Sequence, residues 1–189
     1  MTEEQLHETI HFEAEQYIPF DIADVNLDFQ VLGESQTDSN KMGVLLVAAK
    51  KDLIEDYTKL IENCGLNPCI IDVDIFALQN IYEHAYLDIL ESASEDKCTG
   101  LIDVGASKAS LNILKGNKSL FMRDFSVGCN QIDEQLISQL NCTIDEAEQI
   151  KLNRGSEKIS NEEYKLIEST IISGWCNEIG RALDFFFSS

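Results

Sequence analysis

The first pattern that could do chemistry is HETIH at residues 7–11, which matches the zinc protease motif H-E-x-x-H. In that motif two histidines one helical turn apart bind zinc, and the glutamate acts as general base. Here these residues are His7, His11 and Glu8. A catalytic zinc needs a third protein ligand, and the only other histidine, His84, lies in a separate predicted helix. The simpler interpretation is that both histidines face solvent, and a zinc metalloprotease is a remote alternative.

The second pattern lies in LIDVGASKASLNILKGNKSLFMRDFSVGCN, residues 101–130, where an apolar strand ends in a tight turn and a second strand returns. Gly105 permits close backbone approach, and small Ala106 and Ser107 leave amides and a hydroxyl available to phosphate oxygens. Asp103 at the strand end could hold magnesium directly or through its waters. The alternative is a hairpin whose glycine only makes a turn, and the local pattern does not decide between them.

A second glycine turn, Gly128-Cys129-Asn130, opens the next predicted helix. Helix N-termini favour anions, because their backbone N–H groups and the helix dipole point at the ligand. Gly128 and Asn130 are therefore further candidates for contact with a phosphate.

The composition excludes several classes of function. The chain has 189 residues with a net charge of −20, since 34 acidic residues face 14 basic ones. Nucleic acid and anionic membrane surfaces repel such a chain. No apolar run approaches the ~20 residues needed to span a bilayer, and acidic residues follow Met1 in place of a signal region. Six cysteines without a C-x-x-C pair indicate reduced thiols and a cytosolic protein.

The elements that must position these motifs follow from hydrophobic periodicity and turn residues. The first seventy residues predict an α-β-β-α-β unit: helix 3–17, strands 23–33 and 42–50, helix 51–64 and a short strand, PCIIDVD, at 68–74. Gly65 is placed to cap the second helix, and a polar loop spans 34–41. A further helix is expected at 75–90.

The polar stretch ESASEDK, residues 91–97, predicts a domain boundary. A strand meander follows, with a hairpin turn at Gly116-Asn117. The predicted strands are 99–105, 108–115 and 119–128, and the predicted helices are 130–141, 143–152 and 161–187.

Several segments in this order resemble the PilM family, the actin-like, FtsA-related proteins of type IV pilus assembly. They are EAEQYIPFDIADVNLDFQVLG, VLLVAAKKDLIEDY, NPCIIDVDIFALQNIYE, LIDVGASKASLNIL, FMRDFSVGCNQIDEQL and IDEAEQIK. The match is dense from about residue 4 to 152 and thin afterwards.

The resemblance implies an α/β fold class: a partial actin-like ATPase (ribonuclease H-like) fold with a small inserted α+β subdomain at residues 1–70. Residues 71–97 would be a helix and linker returning to the first actin-like domain. Residues 98–152 would be the core of the second domain with its phosphate hairpin, and 153–189 an incomplete helical outer subdomain. The chain would be an internal fragment that lacks the family's first phosphate turn and its adenosine turn.

The resemblance also implies a nucleotide site. The residues it places at phosphates and magnesium are Asp103, Gly105, Ala106 and Ser107. It places Glu148 at the ribose hydroxyls with Lys151 nearby, although an ordinary helix-surface pair is the alternative for those two. The family usually has glycine where Cys129 stands, so this side chain is expected to crowd a phosphate. ATP and magnesium would bind the intact protein, with weak or no binding by this piece and no catalytic residue within it.

The implied function is a cytoplasmic scaffold, peripheral to the inner membrane, that grips the N-terminal tail of the membrane protein PilN and contacts other pilus assembly proteins. The tail groove is unassigned; strand residues 27–31 and 44–47 are candidate walls, although packing in the core is their simpler use. Exposed apolar edges predict self-association of the fragment. The alternative is another actin-like protein, such as a sugar or acetate kinase.

Overall fold

The computed structural model describes residues 3–34, 41–85, 97–116 and 118–188. The chain divides into two compact units, Met1–Ile71 and Asp72–Ser189. In the described ranges, no helix combines the length and the apolar character that crossing a bilayer requires.

The first unit contains two helices and a two-stranded antiparallel sheet. Its elements are α1 (Glu3–Glu15), a short 3₁₀ turn (Ile22–Asp24), β1 (Val25–Glu34), β2 (Met42–Lys50) and α2 (Lys51–Asn63). Leu6, Ile10 and Ala14 recur along one face of α1 and are buried, as is Val25 at the start of β1. These few side chains form the described core of the unit, so the spacing of apolar residues positions α1.

The third strand predicted for this unit is wrong. The segment PCIIDVD at 68–74 has no strand, residues 66–73 have no regular secondary structure, and Ile70 is 85% exposed. A strand is stable only when a neighbour accepts and donates its ladder hydrogen bonds, and Pro68 has no N–H to donate. The described part of the unit is therefore α-β-β-α. The predicted cap of α2 is confirmed, because Gly65 adopts a φ of +77° and donates its N–H to the Glu62 carbonyl.

The second unit is built on a three-stranded antiparallel sheet with the order β3-β4-β5. Its elements are α3 (Asp74–Ala85), β3 (Cys98–Val104), β4 (Ala109–Lys115), β5 (Lys118–Phe125), α4 (Asn130–Leu140), α5 (Ile144–Asn153) and α6 (Asn161–Ser188). The predicted meander and the helices after it are confirmed to within a few residues. The predicted helix at 75–90 is confirmed as far as Ala85, and its remainder lies outside the described residues.

Other sequence predictions also fall outside the described ranges. They are residues 35–40 of the polar loop, Asn117 of the hairpin turn and residues 91–96 of the expected domain boundary. Helix α3 belongs to the same compact unit as the sheet. The finer division of the chain into actin-like subdomains stays a prediction.

The sheet has two different faces. On one face, alternating apolar side chains pack with Ala182 of α6; they are Ala109, Leu111, Ile113 and Phe125. On the other face, the fully buried Asn112 donates its amide to Gln79 of α3 at 3.0 Å and accepts from the Ser119 hydroxyl at 2.6 Å. The Tyr82 hydroxyl donates to the Thr99 hydroxyl at 3.2 Å. Hydrogen bonds therefore join α3 to the sheet.

A separate apolar cluster joins α4, α5 and the first half of α6. Its buried side chains include Leu136, Ala147, Ile150, Tyr164 and Ile167. Helix α5 begins at a capping box, in which the Thr143 side chain accepts from the Glu146 amide and the Glu146 carboxylate accepts from the Thr143 amide. A hydrogen bond from Lys158 lowers the pKa of Glu146, which keeps this capping carboxylate ionised.

Leucine truncation tests the importance of this helical cluster. Leu136 is fully buried, so we expect Leu136→Ala to lower the free energy of unfolding by about 2–5 kcal/mol. Leu152→Ala is the matched control, because Leu152 is 67% exposed, and we expect a change within about 0.5 kcal/mol. Urea unfolding followed by circular dichroism measures both variants. Equal unfolding midpoints for Leu136→Ala and Leu152→Ala would contradict a large contribution of this cluster to stability.

Candidate functional site

The β3–β4 hairpin presents a short exposed turn. The Gly105 N–H donates to the Lys108 carbonyl at 2.9 Å, which closes the turn, while Ala106 and Ser107 lie exposed at its tip. Within the part of the chain that the structure describes, the amides of Ala106 and Ser107 have no acceptor. Asp103, just before the turn, is exposed, and its carboxylate likewise has no hydrogen-bond or ion-pair partner among the described residues. The tip therefore offers two N–H donors and one carboxylate to a ligand.

The N-terminus of α4 is bound to this turn. The Cys129 N–H donates to the Gly105 carbonyl at 3.0 Å, and the Asn130 N–H donates to the Ala106 carbonyl at 2.8 Å. The next amide, of Gln131, donates to the Gly128 carbonyl at 3.1 Å. The structure thus brings Gly128 and Asn130 beside the turn, but the Asn130 amide predicted to face an anion already has an acceptor in this conformation.

Gly128 allows this close approach. A β-carbon placed on Gly128 would lie 2.4 Å from the Ala106 carbonyl oxygen and 2.8 Å from that of Gly105. Such distances are far below van der Waals contact, and both neighbours are backbone atoms that cannot rotate away. A side chain at this position would therefore push the turn from the helix.

A charged cluster adjoins the turn on the polar face of the sheet. The Lys108 ammonium lies 2.9 Å from Asp74 of α3 and 3.2 Å from Asp124 of β5. The Ser110 hydroxyl donates to the other oxygen of Asp124 at 2.6 Å. The hydrogen bond from Lys108 lowers the pKa of Asp74, and the same bond raises the pKa of Lys108 against the effect of burial.

The second predicted pair, Glu148 and Lys151, lies on α5, which packs against α4. Lys151 is 2.5 Å from Asp133 of α4, and this ion pair is largely buried. The second oxygen of Asp133 has no hydrogen-bond partner among the described residues. Glu148 is exposed. The structure therefore places Lys151 in a contact between two helices and leaves Glu148 at the surface.

Sequence reasoning missed Asp133, Asp74 and Asp124 as partners of the lysines. No local spacing joins Lys151 to Asp133 or Lys108 to Asp74, since each pair forms only when separate elements pack. The one usable signal was the position of Asp133, a charged residue on the apolar face of the amphipathic helix α4.

The described ranges, 3–34, 41–85, 97–116 and 118–188, contain no group of three side chains suited to hold a metal ion. The helix expected around HETIH is confirmed as α1, on which His11 is exposed. The side chains of His7 and Glu8 lie outside the described residues.

Alanine substitution of two glycines tests the contact between the turn and α4. Because the Gly128 β-carbon would overlap backbone, we expect Gly128→Ala to destabilise the chain by about 1–3 kcal/mol. Gly174 in α6 has open space around its β-position, so Gly174→Ala should instead stabilise by about 0.5–1 kcal/mol through helix propensity. Thermal unfolding reports both. A neutral Gly128→Ala variant would refute the tight contact.

Comparison with known proteins assigns the chain to a family. A family model described as "Type IV pilus assembly protein PilM" matches residues 1–189. A solved structure described as "PilM-PilN type IV pilus biogenesis complex" contains a chain similar to this one, with 25% sequence identity and a TM-score of 0.79. That match covers 100% of this chain and 53% of the other, so the chain spans about half the length of that relative.

A second solved structure, MreB5 of Spiroplasma citri bound to ADP, matches with 15% identity and a TM-score of 0.44, over 75% of this chain and 62% of that one. The similarity to a chain of the PilM–PilN complex confirms the predicted α/β fold class and shows that this chain has about half of that fold. The chain belongs to the PilM family of type IV pilus assembly proteins.

Proposed function

We propose that this chain is the part of a PilM-type scaffold that binds the N-terminal tail of PilN and so ties cytoplasmic pilus components to the inner membrane. The observation that carries this proposal is its similarity, over its whole length, to a chain of a PilM–PilN complex. The family assignment favours this scaffold over a sugar or acetate kinase and over a zinc protease.

The surface of the first unit supports a role in binding an apolar peptide. Strand β2 is apolar at most positions, yet its residues are half-buried from Met42 to Val47. The facing side chains Leu27, Phe29 and Val31 of β1 are also half-buried. Among the described residues, neither strand has a second strand partner, so each has an open edge. An extended segment can add to such an edge while its side chains cover the half-buried residues.

The charge of the chain supports attachment to the membrane through a partner. With a net charge of −20, the chain is repelled by an anionic cytoplasmic leaflet. A membrane-anchored protein such as PilN supplies the attachment that the surface of the chain does not provide.

Peptide binding tests the scaffold function. We expect a labelled synthetic peptide of the PilN N-terminal tail to bind the chain, measured by fluorescence anisotropy. Leu46→Thr should weaken binding about tenfold, because Leu46 lies opposite Phe29 and is half-buried, so the change removes apolar surface from the face that the peptide would cover. Gln30→Ala is the control, because Gln30 follows Phe29 and lies on the other face of β1, and it should bind as the unsubstituted chain does. Circular dichroism checks that both variants fold.

Failure of the unsubstituted chain to bind the peptide at millimolar concentration would count against the scaffold function. Equal loss in Leu46→Thr and Gln30→Ala would count against binding at the face that carries Phe29 and Leu46.

We also propose that the β3–β4 turn forms one wall of a nucleotide site in the intact protein. Asp103, Gly105, Ala106 and Ser107 would face the phosphates and magnesium, with Gly128 and Asn130 supporting the turn. Glu148 would accept from ribose hydroxyls, with Lys151 beside it. The free amides at the tip and the unpaired Asp103 carboxylate suit a phosphate with its magnesium ion, which would neutralise the phosphate charge when bound.

Titration with Mg·ATP tests this half-site. A turn that supplies two amides and one carboxylate gives few contacts, so we expect a Kd weaker than about 1 mM for this chain. Amide NMR shifts should be confined to residues 103–107. Asp103→Asn should reduce the shifts that are seen when magnesium is present. The shifts that ATP causes in the absence of magnesium should not change. Micromolar affinity, or shifts centred elsewhere, would be inconsistent with a half-site.

A further inference from the structure

Lys108 connects the β3–β4 turn to helix α3. It follows Ser107, the exposed residue at the tip, and its ammonium contacts Asp74, the first residue of α3. It also contacts Asp124 of β5. These side chains are partly exposed, at 44% for Lys108, 52% for Asp74 and 59% for Asp124. Ion pairing therefore holds these three side chains together at a position that solvent and ions can reach.

The ammonium is surrounded by an excess of negative charge. Asp103, Ser110 and Asp124 occupy one row across the three strands, with Ser110 opposite both aspartates. Asp74 approaches the same face from α3. Lys108 is the cation in direct contact with two of these carboxylates, so its removal would leave like charges facing one another. At the start of α3, the ion pair between Lys108 and Asp74 therefore adds to the burial of Ile75 in holding the first turn on the sheet.

The remainder of α3 is held by different contacts. Tyr82 is buried and Gln79 accepts the hydrogen bond from Asn112, both beyond the first turn, whereas Ile75 is the buried side chain of the first turn itself. The first amides of α3 donate to acceptors next to them in sequence and not to the sheet, since Phe76 and Ala77 both donate to the Val73 carbonyl. Loss of the Lys108 contact should therefore loosen the first turn and leave the later turns in place.

We propose that Lys108 is a latch between the β3–β4 turn and the first turn of α3, and that an anion bound at the β3–β4 turn opens it. A phosphate held by the amides of Ala106 and Ser107 would lie beside Lys108, whose flexible stem lets the ammonium exchange a carboxylate partner for the more highly charged anion. Binding at the turn is then transmitted to α3. The release step rests on the proposed anion-binding role of the turn, whereas the latch itself needs no ligand.

Hydrogen exchange of the whole chain, followed by NMR, tests the latch without a ligand. We expect Lys108→Met to speed the exchange of the Phe76 and Ala77 amides about fivefold and to leave the amides of α5 unchanged. Lys158→Met is the matched control, because Lys158 is similarly exposed and pairs with Glu146 at 2.8 Å, remote in sequence from α3. Equal exchange at Phe76 and Ala77 in the two variants would overturn the latch.

Pyrophosphate, compared with sodium chloride at matched ionic strength, tests the release. We expect pyrophosphate to speed exchange at the start of α3 more than sodium chloride does, and to have no such effect in Lys108→Met. Asp74→Asn should bind pyrophosphate more tightly than the unsubstituted chain, since Lys108 loses a competing partner, whereas Lys108→Met should bind it more weakly. A purely structural ion pair would not give these opposite signs.

The outcomes separate the latch from the function on which its release step rests. If pyrophosphate shifts the amides of Ala106 and Ser107 but leaves exchange in α3 unchanged, the release step is overturned and the anion site stands. If those amides do not respond at all, the anion role of the turn is overturned together with the release step.

Discussion

The second unit depends on one close backbone contact, between the β3–β4 turn and the start of α4. Two hydrogen bonds, from the amides of Cys129 and Asn130 to the carbonyls of Gly105 and Ala106, join the sheet to the helical cluster. This contact requires a glycine at 128, because any side chain there would meet backbone atoms. Since α4 packs on α5 and α6, the same bonds fix the turn relative to two further helices. The exposed turn is thereby held rigidly although its tip is in solvent.

Much of the fold could be predicted because its signals are local. Alternating residues predicted β1, apolar runs bounded by turn residues predicted the other strands, and Gly65 predicted where α2 ends. The strand expected at 68–74 was wrong because an apolar run fixes only a preference for burial. Whether such a run becomes a strand depends on a hydrogen-bonding neighbour, which a local pattern does not contain.

The candidate site also has a part that local sequence predicts and a part that depends on packing. The turn from Asp103 to Ser107 could be found from sequence, since its residues are contiguous and glycine marks the bend. The ion pairs beside it could not, because Lys108 meets Asp74 and Lys151 meets Asp133 only after separate elements have packed. Lys151 illustrates the consequence: the family resemblance implied a place beside Glu148 near a ligand, and the resemblance could not indicate that the Lys151 ammonium contacts Asp133 of α4.

The polar face of β4 affects which strand register forms when the chain folds. Side chains alternate along a strand, so a pairing error of one residue would turn Asn112 toward the apolar layer under α6. There its amide would lose both Gln79 and Ser119, and an unpaired buried amide costs about 1–3 kcal/mol. An all-apolar strand would tolerate that slip far better. A single buried asparagine therefore acts against misregistered pairing and, by extension, against strand exchange between nascent chains.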